Sequence, residues 1–358
     1  MLVMGFSMTN QNKTGELSNN HIKACPNYKE LTSYNSLYTG LLSCLENKRY
    51  RRKYYDFYIN HTCELKALKK ALDSKTYQPQ PCTQFTIFCK SGQKQRLITE
   101  PAAIDNVLHH TIYRALYNVF DKGFIFDSYG CRIGKGTLKA SNRCQQFLKQ
   151  SPKDSYYLQL DIRKFYYSID HAILRDSIAH TIKDPDIVNL MMKLVNPDSN
   201  VGLNVGAMLS QLYGLIYLNR LDHYIKRVLK VKQYVRYVDD MALIGLTKEQ
   251  CLELKDKIEA FLKTELKLEL SKAIIQPVNH GINFVGFHTW PDKRRIRKLS
   301  LRNFKKSLRK QNIYSIQSHL GHAKHTNSYK KLLSLTRSNL PYLSLFMFKG
   351  AFKYDLLK

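Results

Sequence analysis

Apolar and polar positions follow two different periods along this chain, and the switches between them mark its elements. Residues 233–245 read QYVRYVDDMALIG, with Val235, Tyr237 and Val238 before two adjacent aspartates and Met241, Ala242, Leu243 and Ile244 after them. Two short apolar runs around an acid pair predict a β-hairpin with Asp239 and Asp240 at its tip. Hairpin tips favour Asn-Gly or Asp-Gly, because Gly relieves positive φ. Asp-Asp offers no such relief and sets two like charges side by side, a repulsion that a divalent cation would offset. A bare acid pair is more often a solvated turn; its setting between apolar strands in a very basic chain tilts the reading toward a cation site.

The remaining pattern predicts a mixed chain. Residues 31–75 have helical spacing, ended by Tyr77-Gln-Pro-Gln-Pro. Within them KRYRRKYYDFYI (48–59) is a basic-aromatic face suited to phosphate contacts. Residues 85–99 read as a hairpin: an apolar strand, a Ser-Gly turn and a basic strand. Residues 105–120 place Val107, Leu108, Ile112 and Leu116 at helical spacing. SYGCRIGKGT (128–137) is a Gly-punctuated basic loop without the G-x-x-x-x-G-K-[ST] of a P-loop. YYLQLDIRKFYYSID (156–170) is an apolar strand closing on an acid and a turn, and helices follow to about Leu194. Residues 202–226 are a Gly-rich loop feeding a helix. Residues 249–266 form an amphipathic helix with Leu252, Ile258, Leu262 and Leu266 on its apolar side, and FVGFHTW (284–290) is a short strand.

Charge changes the picture. The 358 residues carry 57 Lys or Arg against 28 Asp or Glu, a net charge of +29, which points to nucleic acid or an anionic membrane. No apolar run approaches the ~18–20 residues of a membrane span. The N-terminus has no early positive charge and makes a poor signal peptide. Nucleic acid is the better partner, with no membrane. The eight cysteines form no C-x-x-C pair and meet no His pair at zinc spacing, so they read as reduced thiols in a cytoplasmic protein. From Pro291 the character shifts: residues 291–358 hold 17 cations and two acids, and ten of those cations fall in 292–310. This predicts a helical, nucleic-acid-binding C-terminal subdomain.

A third acid, Asp161, ends an apolar strand. Two acid sites on strands of one sheet would hold two Mg²⁺ about 3.5–4 Å apart. Mg²⁺ keeps phosphate oxygens and water among its ligands, so three carboxylates are enough. Taken alone, Asp161 could equally be an ordinary strand-end acid.

In this order the basic hairpin, LDIRKFYYSID, the Gly-Ser loop, YVDD, a lysine segment and FVGF resemble the fingers, palm and thumb of a reverse transcriptase, over roughly residues 45–320. The resemblance implies an α+β right-hand polymerase: a polar leader at 1–30, fingers with early palm helices at 31–150, a ferredoxin-like palm at 151–290 and a basic helical thumb at 291–358. It implies RNA-templated DNA synthesis with two Mg²⁺, or Mn²⁺ in their place. Asp161, Asp239 and Asp240 match the family's catalytic carboxylates, and Ile162 would lend its carbonyl to metal. Lys272 resembles the lysine beside the leaving pyrophosphate. Arg96, with Lys94 nearby, matches the residue that grips the dNTP triphosphate. Tyr166 falls where an aromatic ring excludes a ribose 2′-hydroxyl. Arg132 would contact template or nucleotide. Lys293, Arg294, Arg295, Arg297, Lys298 and Arg302 would ride the duplex backbone, and residues 284–290 would grip the primer.

The departures are informative. Where relatives carry Gln-Gly and then Ser-Pro beneath the incoming base, this chain has Val205-Gly206 and then Ser210-Gln211. That G-x-x-x-S-Q pattern resembles the reverse transcriptases of diversity-generating retroelements. Tyr166-Tyr167 in place of Phe-Pro resembles related antiphage-defence lineages instead. Either implies a structured noncoding RNA template, a DNA or RNA primer, and an accessory protein or self-association. The rival is a non-catalytic RNA-binding scaffold on a polymerase fold.

Overall fold

The computed structural model describes residues 25–46, 48, 51–88, 95–196 and 199–340. Most of the expected polar leader lies outside them. Its last residues are ordered: α1 (Tyr28–Leu31) starts on an Asn27 capping box, and the Tyr28 N–H donates to Asp184 Oδ2 at 2.9 Å. The helical stretch that follows is α2 (Tyr34–Leu45), α3 (Arg52–Ile59) and α4 (His61–Asp73). The basic hairpin is β1 (Thr83–Phe88) against β2 (Gln95–Glu100), with its turn outside the described residues. Next come α5 (Ala103–Asp121) and α6 (Thr137–Gln150).

β3 (Tyr156–Ile162) opens the central sheet, followed by a short 3-10 turn, α7 (His171–Thr181), α8 (Pro185–Lys193) and α9 (Met208–His223). β4 (Tyr234–Tyr237) and β5 (Asp240–Leu246) form the expected hairpin; α10 (Lys248–Glu265) and β6 (Leu270–Pro277) complete the unit. The strand order is β4-β5-β3-β6, with every pair antiparallel. A β-α-β-β-α-β chain in that order is the ferredoxin-like arrangement expected of a palm. α9 is apolar on nearly all sides because it runs through the core.

Alternation on β3 divides the interior. Leu158, Leu160 and Ile162 face the large core built with α7, α9 and α10. Tyr157 faces a second core with Val235, Tyr237, Ala242 and Ile244, shared with α6. Two details differ from expectation. Leu252 on α10 is exposed, and Cys251 takes the buried position beside Ile258 and Leu262. FVGFHTW is not one strand: β7 (Ile282–Phe284) turns through Val285 and Gly286 into β8 (Phe287–Thr289), which pairs with β9 (Arg294–Ile296). Val285 and Gly286 have φ of +43° and +92°, the sense of a type I′ turn. α11 (Lys298–Arg309), α12 (Ile313–Ala323) and α13 (Tyr329–Asn339) close over their own core of Phe304, Leu308, Ile316, Leu320 and Leu332.

Candidate active site

Asp161 on β3 and Asp240 on β5 are direct cross-strand partners. Such partners hold their Cα atoms about 4.5–5.5 Å apart. Asp239 occupies the turn just before, half-buried. Ser271 Oγ lies 3.1 Å from both the carbonyl oxygen and Oδ2 of Asp161. Asp240 is 4% exposed, and its Oδ1 accepts a hydrogen bond from Gln159 Nε2 at 2.9 Å. Burial, together with the charge of Asp161, pushes the Asp240 carboxyl up to about 7; the Gln159 bond, Arg297 and Lys272 pull the other way.

Among the described residues no three His, Cys, Asp or Glu side chains converge as a finished metal cluster. The donor set nonetheless fits Mg²⁺, which binds through one or two carboxylates and leaves its other positions to phosphate and water. A carboxylate that burial holds near neutrality is also one that a bound cation would ionise.

The turn carrying Asp239 is held from behind. Val238 has φ +57°, an outlying conformation for a β-branched residue. Gly130 makes room for it: a Cβ there would sit 2.5 Å from Val238 Cγ2. Arg236 Nη1 donates to the Val238 carbonyl at 2.9 Å. Its Nε donates at 2.7 Å to Asp222 Oδ1, which also accepts from the Tyr234 hydroxyl at 2.8 Å, and Nη2 donates to Asp222 Oδ2. Sequence reading passed over Arg236, Asp222, Gly130 and Gln159. The available signal was a polar residue at an inward position of an apolar strand, as in YVRYV and YLQLD.

Of the residues expected on the nucleotide side, Tyr166 and Gln211 lie beside this turn. The Thr99 N–H on β2 donates to the Val205 carbonyl at 2.9 Å, and Gly206, at φ +131°, lies under Thr99, where a Cβ would come within 3.0 Å of its oxygen. The basic hairpin is thereby docked on the loop of Val205 and Gly206. Tyr166, Gln211, Cys131 and Val238 line one narrow crevice. Tyr166 is half-buried with its hydroxyl end enclosed, hydrogen-bonded to Cys131, and burial pushes that phenol well above its usual range. Its neighbour Tyr167 is exposed and donates to the Leu97 carbonyl at 3.3 Å. Ile162 is buried at the end of β3. Lys272 is exposed on β6, in register with Asp161. Arg96 sits on β2 opposite Ile87; its side chain and Lys94 lie outside the described residues.

Several cations do other work than expected. Arg132 does not face solvent: its side chain is 7% exposed, and its guanidinium bonds Asp121 at 2.7 Å and the carbonyls of Ile125 and Ser128, locking the Gly loop. Arg294 is buried, bonding Gln145 at 2.9 Å with its guanidinium over Phe287. Arg297 is turned inward, where its charge acts on Asp240. Arg295, Lys298 and Arg302 are exposed as expected, and Lys293 is half-exposed beside Asp292 and Trp290. In the basic-aromatic segment, Arg51 and Lys53 both approach Glu100 at 3.6 Å and brace the start of α3 against β2, while Arg52 pairs with Asp56 at 3.7 Å within α3.

Residues 89–289 match the family described as reverse transcriptase (RNA-dependent DNA polymerase). The group II intron-encoded protein LtrA of Lactococcus lactis subsp. cremoris is 23% identical over 301 residues, covering 63% of this chain and 49% of its own. The putative COX1/OXI3 intron 2 protein of Saccharomyces cerevisiae is 19% identical over 292 residues, covering 62% of this chain and 34% of its own. This chain therefore spans half or less of the length of these curated relatives. The apo telomerase of Candida tropicalis, truncated from its C-terminal domain, superposes with a TM-score of 0.49 at 13% identity, covering 64% of this chain and 59% of the other.

Proposed function

This chain belongs to the reverse transcriptase family, and from that premise we propose that it extends a primer 3′-hydroxyl with dNTPs along an RNA template. The observation that carries the proposal is Asp161 set directly opposite Asp240, beside Asp239. Two facing acids in a sheet cost stability through like-charge repulsion and burial. A non-catalytic scaffold has no use for that cost.

Asp161, Asp239 and Asp240, with the Ile162 carbonyl, would hold Mg²⁺, which when bound supplies charge neutralisation at the α-phosphate and a more acidic 3′-hydroxyl. The chain's own residues do the rest. The Val205–Gly206 backbone, pinned by Thr99, forms a floor for the incoming base. Tyr166 closes the sugar side, where its ring leaves no room for a 2′-hydroxyl. Lys272 would protonate the leaving pyrophosphate, a role its register opposite Asp161 supports. Arg96, with Lys94, grips the triphosphate. The exposed cations of α11 ride the duplex backbone, which positions it without reading sequence.

The template in this proposal is a structured noncoding RNA, and the setting is antiphage defence or a diversity-generating retroelement. The G-x-x-x-S-Q run at Gly206–Gln211 supports the second and Tyr166-Tyr167 the first. No described helix is long and apolar enough to cross a membrane. The free cysteines among the described residues suit a cytoplasmic location.

Primer extension on poly(rA) with purified protein and Mg²⁺ tests the proposal. Wild type incorporates dTMP, and Asp239→Ala with Asp240→Ala does not. Wild type that retains its copurifying RNA and still incorporates nothing makes the scaffold the correct reading.

A further inference from the structure

β3 lays a row of side chains against β7. Tyr157, Gln159 and Asp161 alternate onto one face of β3. The Tyr157 hydroxyl donates to the Gly281 carbonyl at 3.1 Å, and Gln159 Nε2 donates to the Asn283 carbonyl at 2.9 Å. The two acceptors are two residues apart, the same spacing as their donors. No backbone ladder joins these elements, because β7-β8-β9 is a sheet separate from β4-β5-β3-β6. Side chains therefore set the register between them.

Gln159 is the rung that touches both sides. It is 3% exposed, and its second N–H donates to Asp240 Oδ1 at 2.9 Å. Both partners are oxygen acceptors, which fixes the amide with its nitrogen toward them. Beyond Asn283 the hairpin tip rests on the C-terminal helices: His322 on α12 stacks on Phe287 with centroids 4.4 Å apart, and Gly286 leaves room for the His322 ring. The hairpin thus stands between the thumb and Asp240, with Gln159 as the polar link on the catalytic side.

We infer that Gln159 is a positioning residue: its single amide holds the β7–β8 hairpin at a set distance from the Asp240 carboxylate, so that a primer end gripped by the hairpin, the role the resemblance gives residues 284–290, would arrive in line with the acids. The inference rests on the polymerase reading of Asp161 and Asp240. A shift of about 1 Å in such an alignment costs on the order of 100-fold in rate even when binding is intact.

The test is Gln159→Met, which keeps length and packing and removes both donors, beside Gln159→Asn, which keeps an amide too short to span both acceptors. Each is read by single-nucleotide primer extension and by amide hydrogen exchange. The expected result is a fall in kcat of about 10–100-fold, with KM for dNTP and duplex Kd within about twofold of wild type. Exchange at residues 282–289 rises about tenfold while β3 and β5 stay protected. Should Gln159→Met fold poorly, Gln159→Asn alone decides.

Unchanged kcat, a loss confined to duplex affinity, or exchange that rises across the whole palm would each overturn the inference; the last two mark a binding or merely structural role. Wild type that extends no primer refutes the polymerase reading instead, and exchange at 282–289 then decides the Gln159 link without any activity.

Discussion

Arg236 and Asp222 meet in the interior, 1% and 0% exposed, in a two-pronged ion pair whose third nitrogen donates to the carbonyl of Val238. The pair couples the core behind the sheet to the turn that carries Asp239. Burying both charges is expensive, and removing one partner strands the other.

Asp222→Ala is therefore expected to destabilise the protein by about 3–5 kcal/mol, read by urea denaturation. Arg236→Lys keeps the charge but loses the fork that serves both Asp222 oxygens and Val238. It is expected to lose less stability and proportionally more kcat. Equal losses in both would remove the turn-holding role.

Gly130→Ala is expected to displace the same turn from its other side. The new Cβ would lie 2.5 Å from Val238 Cγ2 and 2.6 Å from the Val238 nitrogen, so backbone must move. Overpacking of this kind costs about 1–3 kcal/mol. Primer-extension rate is expected to fall by at least about tenfold, and a wild-type rate in the folded variant would show that the turn tolerates the shift.

Asp240 gives a signed pH dependence to the metal-free protein. Its folded carboxyl is raised to about 7, whereas an unfolded Asp titrates at about 3.9. Between those values the folded state holds a proton that the unfolded chain has released. Unfolding free energy from this group therefore falls as pH rises through that window and levels off above it, with a slope of at most about 1.4 kcal/mol per pH unit. Asp240→Asn is expected to remove that slope and to melt higher than wild type at pH 8 in EDTA. Added Mg²⁺ is expected to raise the wild-type Tm and leave Asp240→Asn nearly unmoved. Parallel melting curves against pH for the two proteins would refute the assignment.

Tyr166→Ala opens the crevice shared with Gln211, Cys131 and Val238. Ribonucleotide incorporation relative to dNTP is expected to rise by roughly 10–200-fold, the range over which apolar packing discriminates. Unchanged discrimination would take Tyr166 out of the sugar-gate role.

Arg302, Lys305, Lys306 and Arg309 are exposed on α11. Replacing Arg302, Lys305 and Arg309 with Ala is expected to lower the slope of log K against log salt for duplex binding by about one for each phosphate no longer neutralised. A slope equal to wild type would place the duplex elsewhere.

Local pattern made much of this legible. The YVDD hairpin, β3 and the helix-forming stretches follow from periods of 2 and 3.6, which neighbouring residues alone create. In FVGFHTW the interior Gly286 is the visible mark of a break, but a lone Gly also fits a strand with close backbone approach, and the positive φ of β-branched Val285 that completes the hairpin turn has no local signal. Arg132 and Arg294 looked like nucleic-acid contacts because a basic run reads as a surface. Their fates depend on Asp121 and on Gln145, a partner far away in the chain, and a charge is free or committed only once such partners are in place.

The sequence by itself determined which residues carry the acids, that Asp161 and the Asp239–Asp240 pair sit on strands and a turn, and that the whole bears a large positive charge. Tertiary structure decided that Asp161 faces Asp240, that Gln159 bridges Asp240 to the β7–β8 hairpin, and that Arg236 is consumed in holding the turn. Those are contacts across strands and between sheets. Their energies depend on distance and burial in space, which chain pairing creates and which no run of neighbouring residues encodes.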